Sequence, residues 1–194
     1  AVGSHQITAV AADNLGASTT SSAVNITVST SNRKPIVSNP ISNPPPVTYG
    51  AGWNFQFAAD TFTDPDGDLL SYTASGMPPG ITFTGATRTF SGVPTQTGVF
   101  SIAVVANDGG SPNLTATSTF DLTVIQAPLT VAADNKGKTY GSADPPNTVS
   151  YSGLVNGDTA AVLGGTLSFT RAPGENVGNY AITPSGLTSA NYAI

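Results

Sequence analysis

Three segments of the chain carry one signature, Gly-x-(ring)-x-Ile: Gly3 to Ile7 around His5, Gly98 to Ile102 around Phe100, and Gly178 to Ile182 around Tyr180. A signature that returns at wide intervals marks a repeated folding unit. In the first two copies the match runs further. Gly3 to Asp13 and Gly98 to Asp108 have equal spacing, and Val10-Ala11 answers Val105-Ala106. Each copy then passes a Gly-containing turn into a terminal run, Val24 to Val28 or Phe120 to Val124. In Phe100-Ser101-Ile102-Ala103-Val104 and Phe120-Asp121-Leu122-Thr123-Val124, bulky apolar residues recur at every second position. Period two places them on one face of an extended strand. The repeated unit therefore reads as the closing strand pair of a small β-sandwich.

Helix has little support. Only 9% of the residues are charged, against a usual level of about 25%. Glu175 is the single glutamate, so a solvent-facing helical stripe has few residues to draw on. Gly, Pro, Thr, Ser and Val favour strands and turns instead. With no cysteine, each module must rest on its apolar core or on metal. Net charge is −5 and the six Lys and Arg are scattered, so no basic patch for nucleic acid is present. No apolar run approaches the ~18–20 residues of a membrane span.

Boundaries follow from the repeats and the linkers. Residues 1–31 read as the tail of a first domain whose N-terminal strands lie outside the chain. Asn32-Arg33-Lys34-Pro35 opens a second module over residues 32–126, and Gln126-Ala127-Pro128 leads into a third over residues 127–194. The third is expected to stop before its last strand. The run Asn43-Pro44-Pro45-Pro46 is expected at an edge or in a loop, because prolines cannot donate within a central strand. The whole is expected to be a segment of something longer.

The middle module resembles the cadherin-like, dystroglycan-type Ig domains of bacterial surface proteins. Phe62-Thr63-Asp64-Pro65-Asp66-Gly67-Asp68, Met77-Pro78-Pro79-Gly80, Thr89-Phe90-Ser91-Gly92-Val93-Pro94 and Val105-Ala106-Asn107-Asp108 carry the resemblance. The third module is similar to MBG-type repeats of bacterial adhesins through Lys138-Thr139-Tyr140-Gly141, Gly153-Leu154-Val155-Asn156-Gly157-Asp158 and Ser189-Ala190-Asn191-Tyr192. Residues 1–31 resemble the C-terminal part of an Ig-like repeat. The resemblance implies an all-β array of tandem Ig-like and cadherin-like antiparallel β-sandwiches, elongated, at the bacterial cell surface or secreted.

The sharpest chemical signal is Asp64-Pro65-Asp66-Gly67-Asp68. Three clustered carboxylates repel one another unless solvent or a cation compensates. Calcium takes six to eight oxygen ligands from such loops. The run is not an EF-hand: position twelve from Asp64 is Ser75, and the glycine stands fourth. Three local aspartates cannot complete the shell, so further ligands must come from elsewhere. A plain hairpin turn is the other reading, since Asp, Pro and Gly are turn residues. The cadherin resemblance implies an ion at a module junction, held by a linker Asn, an Asp-x-Asp turn and an Asp after Ala-x. On this chain those are Asn32, Asp64 with Asp66, and Asp108, with Asp68 completing the acidic run. Asp13 is the equivalent of Asp108 in the first module.

Other candidates read as structural. His5, the single histidine, occupies the ring position of the repeat and is expected to pack. Glu175 lacks a second glutamate for glycosidase chemistry. Trp53 lies in an alternating run, Trp53 to Phe57, and is expected in the core or at an edge. The third module shows no ligand site. The expected function is a non-enzymatic extracellular stalk or adhesion module, stiffened by calcium at an interdomain junction. Its expected partners are a cell-surface or matrix ligand, neighbouring modules and further copies paired edge to edge. Two rivals stand beside it. A carbohydrate-binding accessory module of a secreted hydrolase would show an aromatic platform at Trp53. A filament or surface-lattice subunit would show extended contacts between copies.

Overall fold

A computed structural model describes residues 3–28 and 31–194. The architecture is all-β and Ig-like, as expected, and its strands pair antiparallel except where Val47–Thr48 and Ala127–Pro128 join parallel; among the described residues there are two single-turn 3-10 helices, Gly85–Thr87 and Ala160–Val162.

Residues 3–28 form two antiparallel pairs. Gly3–Ile7 pairs with Val24–Val28, and Val10–Ala12 pairs with Ser18–Thr20. The first copy of the repeat signature thus lies on a strand, with His5 opposite Ile26, and the second opens the strand Gly98–Asn107, whereas in the third copy, contrary to expectation, only Ile182 reaches a strand and the rest lies in a hairpin connection.

The middle module is two packed sheets. One is four-stranded, in the order Val47–Thr48, Thr115–Ile125, Gly98–Asn107, Ser71–Ser75. The other is three-stranded, in the order Ile81–Thr84, Thr89–Gly92, Trp53–Gln56. Alternation decides what lies between them. Ile102, Val104 and Ala106 point inward from one long strand, and Phe120, Leu122 and Val124 from its neighbour. The facing sheet contributes Phe90, fully buried, whose ring meets Phe120 edge-on at 5.6 Å. Each of these side chains larger than alanine contributes roughly 1.5–3 kcal/mol on burial. Trp53 belongs to this core. Its indole stacks on Phe55 at 5.6 Å and leans on Phe90.

The proline run lies along the edge of the four-stranded sheet, in no strand. Prolines have no N–H for the ladder, so side chains stand in. Asn43 Oδ1 accepts from the Asp121 N–H, and Ser118 Oγ accepts from the Ile41 N–H.

The third module is built from strand pairs Thr130–Ala133 with Val149–Ser152 and Gly164–Arg171 with Ile182–Thr188. The residues expected to be a linker are part of its sheet. Ala127–Pro128 runs parallel to Tyr192–Ala193. The Ala127 and Leu129 N–H groups donate to Asn191 and Ala193 carbonyls on either side of Pro128, which has none to give.

The second and third modules meet over a packed contact. Ala127, Leu129 and Tyr192 are buried in the same apolar cluster as the core of the second module. Tyr49 meets Tyr192 edge-on at 5.5 Å. Both phenols donate to one carboxylate oxygen, Asp158 Oδ2, at 2.9 and 2.6 Å. The Tyr192 hydroxyl also accepts from the Val155 N–H. Burial is the main cause holding the Tyr192 phenol above its usual range, with the Asp158 carboxylate adding to it. Gly50 makes the approach possible: its φ is +76°, and a Cβ there would lie 2.3 Å from Val155 Cγ2. Thr97 and Gln126 bond across to the 189–191 turn.

Candidate metal centre

Strand pairing assembles the acidic residues. The register Ile36 opposite Thr63 brings the 32–35 linker beside the Asp64 loop. The register Asn107 opposite Ser71 brings the far side of that loop beside Asp108. One carboxylate oxygen from each of Asp64, Asp68 and Asp108 then lies within 4.8 Å of the others.

Each carboxylate has a different environment. Asp64 uses Oδ1 to accept the N–H groups of Asp66 and Asp68, at 2.8 and 3.3 Å, which folds the loop around Gly67. Its Oδ2 is buried and has no hydrogen-bond partner. A buried, unpaired carboxylate oxygen beside two further carboxylates is costly unless a cation lies between them. Asp108 is 5% exposed. Its Oδ1 accepts from the Gly110 and Leu114 N–H groups, and its Oδ2 from the Asn32 side-chain amide at 2.9 Å. The Leu114 N–H is the largest cause holding this carboxyl below its usual range, against an opposing effect of burial. Asp68 is the exposed member of the cluster.

Asp66 departs from the expected ligand set. Its two oxygens accept from the backbone N–H and the Nε of Arg33, at 2.7 and 2.8 Å. The Arg33 side chain is the chief cause holding its carboxyl low. The turn directs Asp64 and Asp68 to one side and Asp66 to the linker. Arg33 had no assigned role in the sequence reading, and its adjacency to Asn32 was the available signal. Asn32 does reach the site, through its amide nitrogen, which also donates to the Pro112 carbonyl at 2.8 Å.

Gly110 leaves room for this contact, because a Cβ there would lie 2.4 Å from Asn32 Nδ2 and 2.8 Å from its Cγ. Gly110→Ala is therefore expected to displace Asn32 from Asp108. Losing a hydrogen bond to a charged group costs about 1.5–3 kcal/mol, read as a melting-temperature drop of roughly 3–12 °C. An unchanged melting curve would show that Asn32 is not held there.

The remaining candidates are accounted for locally. Asp13 Oδ1 accepts from Leu15 and Ala17 N–H groups and organises its own hairpin, as Asp108 Oδ1 does. Glu175 pairs with Lys138 and Arg171 in the third module. Among the described residues no helix is long and apolar enough to cross a membrane.

Two family models match successive parts of the chain. Residues 34–125 match the family model described as "Putative Ig domain", and residues 129–194 match "MBG domain (YGX type)". The serine-rich adhesin for platelets of Staphylococcus aureus strain MRSA252 is 28% identical over 105 residues, covering 54% of this chain and 8% of that protein. The chain thus spans under a tenth of the length of this curated relative. Among solved structures, human CDH23 EC21-23 aligns with a TM-score of 0.43 at 18% identity, covering 79% of this chain and 59% of that one. The protocadherin gammaB7 EC3-6 cis-dimer structure aligns at 0.41 and 16% identity, covering 74% and 36%. Residues 34–125 are thus similar to putative Ig domains and residues 129–194 to MBG domains.

Proposed function

We propose that this Ig–MBG tandem is a non-enzymatic extracellular stalk and adhesion segment of a bacterial surface protein, with a calcium ion at the entry to its Ig domain. The observation that carries the calcium reading is the buried, unpartnered Oδ2 of Asp64, on a carboxylate that clusters with Asp68 and Asp108. Asp64, Asp68 and Asp108 would hold the ion, with Asn32 contributing its side-chain carbonyl once the amide turns over. Calcium supplies positive charge that compensates three carboxylates and accepts hard oxygen donors. The chain's own residues do the rest. Arg33 clamps Asp66 and so fixes the linker on the loop, while Leu114 and Gly110 fix Asp108.

The second support for a stalk is mechanical. At the other end of the Ig domain the linker is hydrogen-bonded into a sheet, and two tyrosines share one aspartate across the contact. That joint needs no cation. The match to staphylococcal adhesins over about half of the chain supports a surface location and an adhesive parent. The rival sugar platform at Trp53 gains no support, because the indole is stacked against Phe55 and the core.

Calorimetric titration of the chain with calcium chloride tests the site. One ion is expected to bind, and Asp64→Asn is expected to abolish the heat. Binding that survives Asp64→Asn would place the ion elsewhere. No binding at millimolar calcium would leave the acidic loop as a turn.

A further inference from the structure

The MBG domain holds a concavity of about 700 Å³ that neither the metal centre nor the joint uses. That volume lies within the roughly 300–1,000 Å³ of small-molecule sites. Its walls are two hairpin connections. Residues 134–148 join Thr130–Ala133 to Val149–Ser152, and residues 172–181 join Gly164–Arg171 to Ile182–Thr188. Both exceed the roughly 2–5 residues a hairpin needs, and long ordered loops are often binding loops.

Charge locks the two loops together. Lys138 bonds Asp144 at 2.5 Å and Glu175 at 3.1 Å, and Arg171 lies 3.5 and 3.6 Å from the same two carboxylates. The Arg171 guanidinium stacks 4.4 Å over the Tyr180 ring and donates to the Gly174 carbonyl. Asp144 is the largest cause raising Lys138, and Lys138 the largest cause lowering Asp144. Asp134 accepts from Thr148 and Ser150 at the base of the first loop. The walls are therefore held in place before any ligand arrives.

The same network decides what the concavity can select. Three cations, Lys136, Lys138 and Arg171, and three carboxylates, Asp134, Asp144 and Glu175, line the space, so the concavity offers no net charge to an ionic ligand. The side-chain amides of Asn135, Asn147, Asn176 and Asn179 also line the space and make no hydrogen bond within the chain among the described residues. Each amide offers donors and acceptors side by side, which matches paired hydroxyls. Tyr140 stands at the rim with its residue 72% exposed, offering an apolar ring face with a polar tip. An uncharged molecule with many hydroxyls and apolar faces satisfies both kinds of group.

We propose that this concavity binds a short neutral oligosaccharide, with Tyr140 stacking on a sugar face and the asparagines reading its hydroxyls. The inference does not rest on the calcium reading. The test is amide-resolved NMR of the chain titrated with maltohexaose, cellohexaose and chitohexaose, and with hyaluronan hexasaccharide as a charged control, in chelator throughout. At least one neutral glycan is expected to shift resonances of residues 134–148 and 172–181. Tyr140→Ala with Asn179→Ala is expected to weaken it by about tenfold or more. Both side chains lie outside the ion-pair network, so the melting temperature of the variant should match the parent. The proposal is overturned if no neutral glycan shifts these loops, if only the charged control does, or if the response survives the double substitution in a folded variant.

Discussion

Calcium at a hundredfold excess over its dissociation constant is expected to raise the melting temperature of the chain by roughly 5–10 °C, and Asp64→Asn is expected to remove the whole increment. The size follows from mass action. A ligand that binds only the folded state at that excess contributes about 2.7 kcal/mol, and each kcal/mol moves the midpoint of a domain of this size by about 2–4 °C. The unfolded chain has no site, because Asp108 reaches Asp64 only through strand pairing. Asp66→Asn separates ligand from linker clamp. Its carboxylate is engaged by Arg33, so the variant should melt lower than the parent without calcium and yet keep most of the calcium increment. If Asp66→Asn instead erases the increment while Asp64→Asn keeps it, the ligand set inferred from the geometry is wrong. Coincident curves for the parent with calcium and with chelator would reduce the loop to a turn.

Tyr192→Ala is expected to cost about 3–5 kcal/mol and to separate the unfolding of the Ig and MBG domains into two transitions. The residue is 1% exposed, and truncating a buried aromatic leaves a cavity of that cost. Four contacts go with it: the edge-on packing on Tyr49, the Asp158 carboxylate, and the Val155 N–H and carbonyl. Because these contacts lie on both sides of the joint, their loss uncouples the domains as well as weakening one. Tyr192→Phe keeps the ring and leaves the Val155 N–H and one Asp158 bond unpaired, for about 1–3 kcal/mol. Gly50→Ala attacks the same joint from the Ig side by driving a Cβ into Val155. Scanning calorimetry of the parent should show one transition for both domains, unchanged by chelator apart from the calcium increment. Two separate transitions in the parent would mean the joint is a contact without coupling.

The two sites differed in how much of them could be read from the residues. Asp64 and Asp68 were visible because metal-binding loops concentrate carboxylates locally, and Asp108 entered through the cadherin resemblance, as the Asp after Ala106-Asn107. Asp66 was assigned with its neighbours, since adjacency in the chain cannot say to which side a turn directs each carboxylate. The Tyr49–Asp158–Tyr192 joint was not seen. Its three residues are more than thirty positions apart in each pairing, and none carries a local pattern that announces a contact. The MBG concavity escaped for the same reason. Lys138 and Asp144 lie in one hairpin connection, whereas Arg171 ends a strand and Glu175 follows it in another, so their pairing has no local signal.

What the amino-acid sequence determined by itself is the kind of element and the face each strand buries. Period-two alternation in 98–107 and 115–125 leaves only one way to hide Ile102, Val104, Leu122 and Val124 from water, and proline at 44–46 forbids a central strand there. What only the tertiary structure decided is which distant groups meet. Residues 127–128 became a strand rather than a linker because a returning segment, Tyr192–Ala193, offered backbone partners on both sides of a proline. The acidic loop became a candidate metal centre because strand register left one buried carboxylate oxygen without a donor. Local preference is set over a few residues, whereas hydrogen-bond satisfaction and burial are settled only when the whole chain has closed around them.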